Sequence, residues 1–181
     1  MDLLALLSQP ELTTEAALVR LLLALVAGGV VGIEREIRRQ TAGLRTHILI
    51  CLGATLLMLL SIWMPQAFGY DKGDPGRIAA QVVSGIGFLG AGAFIKIGNN
   101  MKGLTTAASI WVVAAIGMAI GAGMWGPGLI GLGLVIGTLS LLEPVERHFF
   151  PTERIKVLRI DYDEKTMNRK KLFEVLKAHK V

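Results

Sequence analysis

Arg35, Arg45, Lys96 and Lys102 carry charge, and Thr46, Thr105, Thr106 and Ser109 carry hydroxyls, in two segments that occupy matching places along the chain. Helix starts near Leu44 and Leu104 would add free backbone N–H groups and a partial positive charge. Such surroundings attract an anion or a carboxylate. They suit a bare divalent cation poorly, because a small hard ion prefers several carboxylate or water oxygens. The nearby acids, Glu34 and Glu36, are each flanked by arginine. Helix capping combined with the ordinary basic charge of a membrane face gives the same pattern, so both readings stay open.

A second polar set comprises Arg20, Asp74, Arg77, Gln81 and Ser84. Arg20 falls inside an apolar run, where charge is costly and usually faces the bundle interior; snorkelling to the nearer surface is the alternative. Glu34 beside Arg35 reads either as an interfacial ion pair or as an interior pair on the Arg20 face. Asp74-Pro75 reads as a helix start, with Arg77 placed to pair with the carboxylate. The three histidines, His47, His148 and His179, are scattered. No spacing suggests a zinc site, and any metal site is left unassigned. No nucleophile–base pair stands out, so the reading is non-enzymatic, with no cofactor.

The stretch GIGFLGAG at 85–92 imitates a dinucleotide-binding turn through Gly85, Gly87 and Gly90. That motif needs a strand before it and an acid about 20 positions later. Here the motif lies within an apolar run, and Gly103-Leu-Thr-Thr106 stands where the acid should be. The glycines read instead as packing positions. Ala80, Ser84, Gly87 and Ala91 share one helical face, while Gln81, Gly85, Gly92 and Lys96 share another, which predicts a central helix. Gly28-x-x-x-Gly32, Gly117-x-x-x-Gly121 and Gly133-x-x-x-Gly137 repeat the device, which lets membrane helices approach closely. Glycine that loosens a helix and exposes carbonyls to an ion is the other reading.

The elements that must position these residues are membrane helices. The chain is 52% hydrophobic with mean hydropathy +0.56, more apolar surface than a soluble domain of 181 residues can cover. Ile48–Met64 and Ile78–Ile95 are charge-free, Ala16–Ile33 is broken only by Arg20, and Gly103–Leu142 runs 40 residues without charge. The last would span about 60 Å as one helix, so it turns once, within Gly121–Gly128. This predicts an all-α, five-helix transmembrane bundle over residues 1–146. Sixteen of 19 basic residues fall on one side and two on the other. The N-terminus is therefore expected outside, without a cleaved signal peptide, and the tail in the cytoplasm. A net charge of +5 is ordinary for such a protein and calls for no nucleic acid. Cys51, the lone cysteine, reads as packing.

Gly43-Leu-Arg-Thr46 and Gly103-Leu-Thr-Thr106 recur at an offset of 60, each after a glycine 11 residues earlier. This suggests a parallel repeat of helical hairpins. At the other end, Ile155–Tyr162 reads as a strand and Thr166–His179 as a helix. One βα unit cannot bury enough surface to stand alone. Residues 147–181 therefore read as a cytoplasmic tail, either cut short or docked on something else.

Three segments resemble the MgtC/SapB family of bacterial inner-membrane proteins: Gly32-Ile-Glu34-Arg35-Glu36 with Ala42-Gly-Leu-Arg45-Thr46, Asp74-Pro-Gly-Arg77 through Gly92, and Gly103-Leu-Thr-Thr-Ala-Ala-Ser-Ile-Trp111. The resemblance implies a multi-pass inner-membrane domain followed by an ACT-like domain, of which the tail would be the start. It also implies roles in magnesium and energy homeostasis, in restraint of the F-type ATP synthase, and in intracellular survival of pathogens. A regulator acting on partners is the expected function, with a channel or transporter for Mg²⁺ or another ion as the alternative. The expected surroundings are the lipid bilayer and further copies of the chain, a dimer first.

Overall fold

The computed structural model describes residues 7, 12–69, 74, 76–93, 95–97 and 100–149. Five helices and one short hairpin follow in order: α1 (Thr14–Ile37), α2 (Leu44–Ala67), α3 (Arg77–Ala93), β1 (Ile95–Ile97) paired antiparallel with β2 (Asn100–Lys102), α4 (Leu104–Gly121) and α5 (Trp125–Phe149). The connection between α3 and α4 thus contains a two-stranded β-ribbon. The strand and helix expected at Ile155–Tyr162 and Thr166–His179 lie outside the described residues. α5 continues to Phe149, past residue 146, where the sequence places the end of the membrane domain.

α1, α2, α4 and α5 are long and apolar enough to cross a membrane. α3 has 17 residues, which at 1.5 Å per residue is about 26 Å against a hydrocarbon core of about 30 Å. Since lipid tails are as apolar as leucine, burial alone does not hold such helices together; close backbone approach and hydrogen bonds do. Two of the Gly-x-x-x-Gly pairs provide that approach. A Cβ on Gly28 would lie 2.8 Å from the Cβ of Cys51, and one on Gly32 would lie 2.7 Å from the Cα of Leu44. On α4, a Cβ on Gly117 would strike the Cys51 carbonyl oxygen, and one on Gly121 would lie 2.8 Å from the Thr55 carbonyl. α2 is therefore clamped between the glycine face of α1 and that of α4.

The same contacts fix the helix directions. From Gly28 to Gly32 the partner on α2 falls from Cys51 to Leu44, so α1 and α2 are antiparallel. From Gly117 to Gly121 it rises from Cys51 to Met58, so α2 and α4 are parallel. Thr55 reinforces this pair: its Oγ1 lies 2.8 Å from its own helix's Cys51 carbonyl and 2.8 Å from the Gly117 carbonyl across the interface. Around this seam sit Ala24, Ala27, Val31, Cys51, Val113, Ile116 and Ile120, all buried.

The central helix is therefore α4, which contacts α1, α2, α3 and α5. The expectation of a central Gly-rich helix at 78–95 is corrected: on α3 only Val82 and Gly90 are buried. Among the described residues, a Cβ at Gly85, Gly87 or Gly92 meets no packing neighbour within 4 Å. Gly90 alone of that motif packs, at 3.8 Å from Ala107. Gly133 and Gly137 on α5 are likewise open. The turn within 121–128 is tighter than expected: α4 ends at Gly121, Gly123 turns with φ +82°, and Pro127 already lies in the first turn of α5, where its missing N–H costs no bond.

Candidate functional site

Gly43 and Gly103 are the N-caps of α2 and α4, and neither helix start receives a side-chain cap from its own N-cap residue. The two glycines serve different needs. Gly103 adopts φ +94°, left-handed backbone that favours glycine. Gly43 leaves the space that the Glu36 carboxylate fills: a Cβ there would collide with Glu36 Oε2. That oxygen accepts the Leu44 N–H at 3.0 Å. The expectation of two equally open helix starts is corrected here. The chain's own anion occupies the positive end of α2.

The other acid, Glu34, is also engaged. Its Oε1 lies 2.6 Å from Arg38 Nε and its Oε2 3.5 Å from Arg35. Arg38 in turn reaches the Ser140 carbonyl of α5 at 3.4 Å, so the cluster ties the end of α1 to α5. Arg35 is only 3% exposed, and its Nε has no hydrogen-bond partner among the described residues. Thr106, in the first turn of α4, is fully buried with its hydroxyl unpartnered among the described residues. Arg45, Thr46 and Thr105 are exposed. Lys96 and Lys102 belong to β1 and β2, which join this end of α3 to α4; their side chains lie outside the described set.

Between the two helix starts runs a connection that spacing alone did not reveal. His47 is fully buried. Its Nδ1 lies 2.9 Å from the Gly43 carbonyl and its Nε2 3.0 Å from Ser109 Oγ on α4; Ser109 donates to the Thr106 carbonyl at 2.8 Å. A carbonyl can only accept, so Nδ1 carries a proton. A neutral ring with Nε2 bare accepts the Ser109 O–H only when that hydroxyl turns from the Thr106 carbonyl. A doubly protonated ring donates there instead and turns that hydroxyl to Thr106. The only advance signal was Ser109 inside the charge-free run 103–142; His47 follows Arg45 and Thr46, just ahead of the run at 48–64. His47→Leu should lower thermal stability in detergent by about 1–3 kcal/mol, the cost of stranded buried polar groups. His47→Gln, which keeps a donor and an acceptor, should lie between it and wild type. Equal melting of His47→Leu and wild type would deny the connection any weight.

The second polar set is dispersed. Arg20 does not snorkel: it is 2% exposed, and its Nη1 donates to the Gly121 carbonyl at 3.0 Å. It thus places a cation at the negative end of α4. Asp74 does not cap α3 directly; its Oδ1 accepts the Gly76 N–H at 2.7 Å, and Gly76 leads into the helix. Asp74 and Arg77 are both exposed. Gln81 and Ser84 are exposed on α3, Gln81 beside an apolar trough. No group of three His, Cys, Asp or Glu side chains at metal-binding distance occurs among the described residues.

The model of the MgtC family matches residues 21–148. YhiD of Escherichia coli (strain K12), provisionally named a magnesium transporter, is 48% identical over 72% of this chain and 60% of its own length. Protein MgtC of Brucella abortus (strain 2308) is 42% identical over 67% of this chain and 49% of its own. Protein MgtC of Salmonella typhimurium is 40% identical over 72% and 54%. The chain thus spans roughly half to three-fifths of the length of these relatives. No solved structure matches it.

Proposed function

The chain belongs to the MgtC family, and from that premise we propose that it regulates magnesium and energy homeostasis at the bacterial inner membrane without itself conducting Mg²⁺. The observation that carries this reading is the state of the carboxylates. Among the acids whose side chains are described, Glu34 is bound by arginines, Glu36 caps α2, Asp74 holds a turn, and Glu15 sits exposed in the first turn of α1. A Mg²⁺ path needs oxygens free to replace water; Glu34, Glu36 and Asp74 are committed elsewhere, which leaves Glu15 on its own among these four. The start of α4, which gets no side-chain cap from Gly103, and the exposed Arg45 favour an anionic partner group: an acidic segment, a headgroup or a metabolite.

The five-span topology, N-terminus outside, belongs to the same proposal. Its support is the parallel run of α2 and α4. Both start on one side, so the segment between them returns across the membrane, and α3 lies in it. Partners such as the F-type ATP synthase, a homodimer and a part in intracellular survival complete the proposal. The second reading, a channel or transporter, is favoured by the name of the Escherichia coli relative and by the open glycine face of α3. Magnesium flux through purified protein in liposomes separates the two, with none above empty liposomes expected.

A further inference from the structure

α3 rests mainly on α4 and less on α2, leaving a trough of about 480 Å³ between α2 and α3. A second hollow of about 370 Å³ adjoins it at the start of α2. Leu49, Ile50 and Leu89 line both, so the two adjoin along these side chains. The ends differ chemically. One is bounded by Arg45, Thr41 and Thr46. The other is closed where the Ile78 N–H of α3 donates to Ser61 of α2 at 3.3 Å. The floor between is apolar, formed by Ala54 and Val82.

We propose that this trough binds one anionic phospholipid, with its headgroup on Arg45, Thr41 and Thr46 and an acyl chain along α2 and α3. Four observations support that occupant. Arg45 has no ion-pair partner among the described residues, and it stands in the first turn of α2, the helix end that disfavours a cation. A phosphate there meets the guanidinium beside Thr41 and Thr46, the Leu44 N–H being already taken by Glu36. Gly53 and Gly85, both lining the trough, meet nothing within 4 Å of a Cβ among the described residues, so the missing side chains keep it clear. Leu49 is 68% exposed at the junction of the hollows, an apolar surface with no protein cover. Finally, Arg45 to Leu57 along α2 spans about 18 Å, close to the roughly 15 Å depth of one leaflet. A helix 10–12 Å across would displace roughly 1,400–2,000 Å³ over that length, well beyond the trough, whereas an extended hydrocarbon chain is slimmer. In the proposed orientation the basic side of the chain also faces the leaflet that is anionic in cells.

This inference narrows the anionic partner of the proposed function to one class. Its test reads lipid retention and not growth or flux, so its failure leaves the magnesium reading standing. The whole chain is purified into mixed micelles with equal phosphatidylglycerol and phosphatidylcholine, and retained lipid is counted by native mass spectrometry. Wild type should keep phosphatidylglycerol in preference. Arg45→Gln should lower that preference about fivefold, the factor of one basic residue at an anionic surface. Gly53→Phe and Gly85→Phe, which fill open space from α2 and α3, should each remove the bound lipid. Gly137→Phe, at an open glycine on α5, should not. Equal retention of both lipids by wild type, unchanged retention in Gly53→Phe and Gly85→Phe, or equal loss in Gly137→Phe would overturn the site. A change of oligomer size in the trough variants with lipid retention unchanged would assign the trough to a second copy instead.

Discussion

Gly117→Leu should yield little or no assembled protein, while Gly87→Leu should leave the monomer fold at wild-type stability. At Gly117 a new Cβ meets the Cys51 carbonyl oxygen, with Thr55 Oγ1 at 3.1 Å and Ala54 Cβ at 3.2 Å. Two of these atoms are backbone or a β-carbon, which cannot swing aside. The variant must push α4 away from α2, and with it goes the Thr55 bond to the Gly117 carbonyl. Overpacking near the top of its usual range plus that bond amounts to about 3 kcal/mol or more, a large share of the stability of an ordinary domain. Among the described residues, Gly87 meets nothing within 4 Å, and it is exposed. Size-exclusion profiles and melting in detergent compare the two. A monodisperse Gly117→Leu with wild-type melting would refute the clamped geometry of α2. A shift of oligomer size in Gly87→Leu would show that a second copy covers the open face of α3.

Arg45→Ala should abolish growth complementation at low magnesium in a strain lacking the gene, with the protein still folded and inserted. The side chain is exposed and makes no ion pair among the described residues. Its loss should cost within about 0.5 kcal/mol of stability. Its charge nevertheless stands at the mouth where the starts of α2 and α4 lie together, and an anionic partner group would have to pass it. Immunoblots of membrane fractions beside the growth curves separate lost function from lost protein. Full complementation by Arg45→Ala would remove the basic face from the function.

Spacing exposed some of this arrangement and hid the rest. Charge-free runs located the helices, because a membrane helix must satisfy its own backbone and therefore reads as an unbroken apolar stretch. The Gly-x-x-x-Gly pairs at 28–32 and 117–121 mark close approaches, yet the same spacing at 133–137 faces open space. Small residues state that a neighbour could come near, not that one does. That is why 78–95 reads as a central helix and α4 holds the position. Glu36 escaped notice as a cap because it reaches eight residues forward to Leu44, beyond any helix-start pattern within one helix. His47 and Ser109 lie 62 residues apart, and only the parallel packing of α2 and α4 brings them together. Arg20 was visible as an anomaly, but its partner is a backbone carbonyl, which every residue offers and no sequence marks.

The central claim is that this chain acts on magnesium physiology without carrying the ion, and flux measures it most directly. Purified protein is reconstituted into liposomes holding a Mg²⁺-sensitive dye, and external Mg²⁺ is raised across a set membrane potential. The committed carboxylates predict entry equal to that of empty liposomes. Repulsion by Arg35 and Arg45 acts in the same direction, since it is only partly screened in a low-dielectric mouth. Saturable wild-type flux that disappears in Glu34→Gln or Asp74→Asn would contradict the account and make the chain a transporter.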